Sequence, residues 1–167
     1  MQRSRGVVAV VGVAVVALYA ALLVVVQLVL DPLAAVPGRS LGSIYAELER
    51  QGFHTGVDVA VVVGVGVVGV LLAAGLQWVL SEQRAPLFAM VAAHLGVLAA
   101  GIAPAWMSGT ALGMDVADAF MVDGGYHTAW FTVLVGASGA ALVAMPFVLV
   151  VGQAVHVRRT AHRTSAV

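Results

Sequence analysis

The chain has 167 residues, 62% of them hydrophobic and only 10% charged, with a mean hydropathy of +1.05 and a formal net charge of zero. Soluble domains carry near ~25% charged residues, so this composition excludes a water-soluble fold. There is no cysteine, which excludes disulfides, thiolate metal sites and cysteine nucleophiles, and all eight basic residues are Arg.

The first element follows Arg3 and Arg5 and is an apolar run over residues 6–30. A secretory signal has a similar form, but its core is only ~7–15 residues long and ends at a small-x-small site. This run is longer and ends in Asp31-Pro32, so it reads as a retained first membrane helix with Gln27 near its interface. Residues 31–56 form a polar connection. In it Pro32, Pro37 and Gly38 break the helix, Ser40 or Ser43 caps a short helix through Arg50, and Gly52 ends that helix.

Residues 57–80 are apolar except for Asp58 and Gln77. A hydrocarbon core ~30 Å thick takes roughly 20 helical residues, and a helix satisfies its own backbone in lipid, so this is a second span. Gly64, Gly66 and Gly69 lie mid-span, where bare backbone admits a neighbouring helix. Their string G-V-G-V-V-G matches a dinucleotide fingerprint in letters only, because no strand–turn–helix context surrounds it. After a tight linker, 81–86, Pro86 opens a third span over 86–106. A second polar connection covers 107–127, and its middle, Ala111 to Val122, reads as a short helix on the membrane surface. The fourth span covers 128–151 with a kink at Pro146, and the tail, 152–167, carries His156, Arg158, Arg159, His162 and Arg163.

These elements predict an all-α integral membrane protein, a four-transmembrane-helix bundle forming one domain. The ends and the 81–86 linker share Arg3, Arg5, Arg84, Arg158, Arg159 and Arg163, whereas the long connections hold Arg39 and Arg50. By the positive-inside rule both termini are expected in the cytoplasm of a cell whose plasma membrane the chain crosses. Phe53-His54-Thr55-Gly56 and Tyr126-His127-Thr128-Ala129 enter the second and fourth spans, and aligning their histidines sets Gly66 on Gly139. The two hairpins are therefore candidates for an internal duplication.

Four residues at the outer mouth, His54, Asp58, Asp123 and His127, are candidate metal ligands or proton carriers. The alternative is that they serve helix N-termini, where carboxylates are favoured. Met107, Met114 and Met121 are spaced by seven. Thioether sulfur favours copper(I), so Met114 and Met121 join the candidate metal contacts. The same spacing keeps all three on one buried face of an amphipathic helix.

His94 lies near the middle of the third span, where an ionisable group is costly and usually faces a bundle interior. Its candidate roles are a cofactor contact, a proton relay or an interhelical hydrogen bond. No second histidine lies at that depth, so haem held by this chain alone is not expected. Ala92, Gly96 and Ala100 recur on the third span, and Gly136, Ser138, Gly139 and Ala140 cluster on the fourth, as small-residue faces for helix contact. No catalytic or phosphate-binding motif is present.

The expected partners are the lipid bilayer and other membrane-protein subunits, with no nucleic acid. The leading expectation is a non-catalytic integral subunit or accessory protein of a larger membrane complex. The alternatives are a redox or metal-handling protein with copper at the outer mouth, and a small oligomeric channel or transporter with a pathway past His94.

Overall fold

The structure, a computed structural model, describes residues 2–164 and the side chains of residues 4–158. The side chains of Arg3, Arg159, His162 and Arg163, which contribute to the predicted polarity of the ends, lie outside the described ones. The elements are α1 (Gln2–Val25), a π-helical turn (Val26–Leu30), α2 (Asp31–Ala35), α3 (Leu41–Arg50), α4 (Thr55–Glu82), α5 (Leu87–Ala100), α6 (Ile102–Phe120) and α7 (Ala129–Thr164). Four continuous helical stretches, Ser4–Ala35, Thr55–Glu82, Leu87–Phe120 and Ala129–Arg158, are long and apolar enough to cross a membrane. The chain is a multi-pass, all-α membrane protein.

The four stretches run alternately up and down, which puts both chain ends and the short linker at one end of the bundle. We call this the terminus end, and the opposite one the loop end. α1 packs chiefly on α4, and α5 on α7, with α1 and α5 joining the pairs. Glycines set the close approaches. Gly66 of α4 lies against Ala20 and Val24 of α1, Gly96 of α5 against Met145 of α7, and Gly152 of α7 under the Phe88 ring. The core at the loop-end half is Leu23, Val26, Val62, Ala105, Phe131 and Leu134.

The third stretch departs from the sequence expectation. The helix predicted to lie on the membrane surface, Ala111 to Val122, is the continuation of α5 through α6 and ends at Phe120. The only disturbance is at Gly101, one turn before Pro104. Proline lacks an N–H to return to Ala100 but fits the first turn of a helix, so it marks a joint and not an end. No second proline occurs before Met121, which closes α6 in a left-handed conformation at φ +54°.

Trp106 and Trp130 are exposed at the loop end and Trp78 near the terminus end, as expected of an aromatic belt. Leu87 to Trp106 covers on the order of 29 Å, one hydrocarbon thickness. The rest of α6 extends past that length. There it packs on α3 through Ile44, Leu48, Leu112 and Val116, with Ala35 and Val36 from the end of the first stretch.

α3 starts where Ser40 accepts a hydrogen bond from Ser43 N, and it ends before Gly52, at φ +91°. Both features follow the expected capping chemistry. Pro32 does not break the first helix as expected. It sits in the first turn of α2, and the chain turns only at Gly38, φ +84°.

Candidate functional site

The loop end is organised by one proline. Pro32 has no N–H for the carbonyl of Leu28, four residues earlier, and the helix widens there into the π turn, in which Asp31 N bonds Val26 O. Leu28 O instead accepts the Tyr45 hydroxyl of α3 at 3.0 Å. Burial, with Asp58 adding to it, pushes the Tyr45 phenol up to about 12. The neutral form is therefore the folded one. Its contribution to stability is complete below pH ~10, the unfolded value, and falls as pH rises from there through about 12. Tyr45→Phe should cost about 1 kcal/mol at neutral pH and flatten the alkaline limb of a stability–pH curve, measured by unfolding in detergent. An unchanged alkaline limb would contradict the assignment.

The π turn also aims two polar side chains inward. Gln27, expected at the interface, is buried. Its amide donates to Ala105 O, and its oxygen accepts the Ser108 hydroxyl at 3.0 Å. Gly109 leaves the room, since a Cβ there would fall 2.7 Å from the Gln27 amide nitrogen. Asp31, one turn on, is 7% exposed, and its Oδ1 accepts the backbone N–H groups of His127 (2.7 Å) and Thr128 (3.2 Å). It therefore caps α7 from the first stretch, where a carboxylate opposes the positive end of the helix. The cavity enclosed between Gln27, Asp31, Tyr126 and His127 is about 10 Å³, smaller than any organic ligand.

The predicted outer-mouth residues do not converge. His54 is exposed at the start of α4, and Asp58, one turn later, faces Asp115 of α6, with Asp118 and His54 within electrostatic range. Asp123 and His127 lie in the connection before α7, both exposed, and the His127 backbone N–H is held by Asp31 of α2. Met114 rests its sulfur against Gly124, whereas Met121 points into the surroundings at 95% exposure. Among the described residues no three His, Asp or Glu side chains lie together as a metal-holding group. The two aromatic–His–Thr entries also differ. Thr55 is buried and donates to Glu49, whereas the backbone at His127 and Thr128 is held by Asp31. Gly66 packs on α1, but its aligned counterpart Gly139 has nothing within 4 Å.

His94 is buried, and its Nδ1–H donates to Met90 O within the same helix at 2.8 Å, not across helices. A carbonyl can only accept, so Nε2 carries the lone pair in the neutral ring, and it is buried with no partner. The ring lies flat on Gly12 of α1. Two turns further along α1, Tyr19 donates to Ser138 Oγ of α7 at 2.8 Å, and Ser138 donates to Leu98 O of α5, one turn on from His94, at 2.9 Å. Between α1, α4 and α5 runs an apolar cleft of about 600 Å³.

Tyr19, Ser138, Gln27 and Asp31 were missed as working residues by the sequence reading. The signal for Gln27 and Asp31 was their place within five residues of Pro32 at the end of an apolar run; Tyr19 and Ser138 carried no comparable one.

Geometry thus defines the class of object: a four-span bundle with a small polar-faced cap at its loop end. Compared with known proteins, the chain matches no protein family, no curated protein and no solved structure.

Proposed function

We propose that this chain is a non-catalytic integral subunit or accessory protein of a larger membrane complex, docking on its partners through a small-residue face of α7. One observation carries the reading. Thr132, Gly136 and Ala140, at four-residue spacing, are all exposed, and nothing lies within 4 Å of where a Cβ on Gly136 or Gly139 would stand. Three other small residues on this helix and its neighbour are instead spent internally: Ser138 on Tyr19 and Leu98, Ala92 in the core, Gly96 on Met145. Small residues at this spacing let a second helix approach closely in lipid, where association depends on packing and not on a hydrophobic drive. The bias of six arginines against two supports a plasma-membrane orientation with both termini cytoplasmic.

The test is a photo-crosslinking residue at Ala140, with one at Val10 of α1, 71% exposed, as the lipid-facing control. Crosslinks from Ala140 alone to a stoichiometric membrane protein, lost in Gly136→Leu without loss of thermal stability, are expected. A chain that purifies alone in mild detergent, with Gly136→Leu indistinguishable from the parent, would overturn the proposal. Metal analysis of the same preparation reads the copper alternative, since stoichiometric copper in place of a partner favours it.

A further inference from the structure

Hydrogen bonding at the loop end leaves one donor and one acceptor over, and both belong to side chains in the wall of the same cavity. An amide nitrogen carries two N–H groups. That of Gln27 spends one on Ala105 O, which can only accept and so fixes which end of the amide is nitrogen. The other N–H has no partner among the described residues, although Gln27 is only 3% exposed. The amide oxygen is taken by the Ser108 hydroxyl. Asp31 receives both of its hydrogen bonds, from His127 and Thr128, on Oδ1, and no described residue donates to Oδ2. Buried polar groups are ordinarily partnered, by ordered water where the protein does not reach them.

Gln27 and Asp31 line this cavity together with Gly109 and Gly113 of α6, which contribute no side chain to fill it. Its volume, about 10 Å³, is on the scale of one water molecule, which needs roughly 10–15 Å³. The two unspent groups select the occupant. A cation has nothing with which to accept from the Gln27 N–H, and it would sit at the positive end of α7. An anion would be repelled by the Asp31 carboxylate. Water accepts and donates, so a single molecule satisfies both groups.

We infer that the loop-end cavity binds one water molecule, which accepts from the Gln27 amide and donates to Asp31 Oδ2. Gln27 fastens the first stretch to α6 through Ala105 and Ser108, and Asp31 fastens it to the start of α7. The water joins these two attachments into one network across three of the four stretches. This site is separate from the α7 face, and its test is independent of the docking reading.

The experiment uses the full chain, isotope-labelled, in detergent micelles, and reads nuclear Overhauser contacts to water. Cross-peaks from the Gln27 side-chain amide and from the Gly109 Cα protons, with the sign of a long-lived water, are expected. The Cα protons do not exchange with solvent, so their peak reports proximity. Ser108→Ala should keep the Gly109 peak, which sets aside relay through that hydroxyl. Gln27→Leu should reduce it to background, because the water then loses one of the two to four polar partners that hold it. Replacing sodium by choline in the buffer should change neither the peaks nor the unfolding midpoint. Absence of the Gly109 peak in the parent overturns the inference whether or not Gln27→Leu folds. So does a peak lost in Ser108→Ala, a peak unchanged in Gln27→Leu, or a midpoint that falls when sodium is withdrawn, which would make the occupant a cation.

Discussion

Asp31→Ala is expected to destabilise the bundle by about 2 kcal/mol, read as a lowered midpoint of unfolding in detergent. The carboxylate is the acceptor for two backbone N–H groups at the start of α7, at 2.7 and 3.2 Å, and it is 93% removed from solvent. Alanine strands both donors where water reaches poorly, so the loss includes their desolvation as well as the bonds. The opposing term is relief from burying a charge. The positive end of α7 already compensates that charge, which keeps the relief small. Asp31→Asn separates the two contributions. It retains an oxygen for the N–H groups and forfeits the charge–dipole attraction, so it should cost less than half as much. If alanine and asparagine are equally harmful, the role is not capping. If neither matters, the first stretch does not fasten the fourth.

How much of this was legible follows from what kind of force acts at each place. The four spans were visible because lipid demands a continuous apolar helix, and composition alone reports that demand. The cap of α3 at Ser40 and its stop at Gly52 were visible because they are local backbone chemistry. Gln27 was placed at the interface because it is polar and near a span's end. It is buried because Pro32, five residues on, widens the helix and turns it toward Ser108 and Gly109. The surface helix was separated from the third span because polar residues begin at Ser108, yet polarity does not end a helix. No proline lies between Pro104 and Met121, and α6 runs through Gly109 and Gly113 unbroken. The outer-mouth quartet was drawn together by similar sequence around two histidines. The structure puts Asp58 and His54 beside Asp115 of α6, whereas the backbone of His127 and Thr128 is held by Asp31. Such long-range pairings leave no periodic trace. The small-residue stripes were legible as stripes, but which of them are spent inside the chain and which stay open is decided by helix rotation, which puts Ser138 inward and Gly136 outward.

Gly12→Val is expected to be the most damaging single change in the membrane interior, at about 3 kcal/mol. A Cβ at this position would lie 2.6 Å from Cγ and Nδ1 of His94 and 2.7 Å from Cδ2, so the whole face of the ring is in the way. The ring is held by Met90 O and is buried, so it has little freedom to retreat, and α1 and α5 must part instead. Helix propensity works in the opposite direction, since valine is a better helix former than glycine, and any loss therefore reports the contact. The decisive measurement is a double-mutant cycle. His94→Ala removes the obstructing ring along with its unpartnered nitrogen, and the Gly12→Val side chain then enters the space it leaves. The double variant should unfold at least about 1 kcal/mol less readily than the sum of the single effects predicts, because residues in contact do not act additively. Additive effects would mean that the flat seat of His94 on Gly12 does not set the distance between these helices. The terminus-end half of the bundle would then have to be held by the Phe88–Gly152 approach instead.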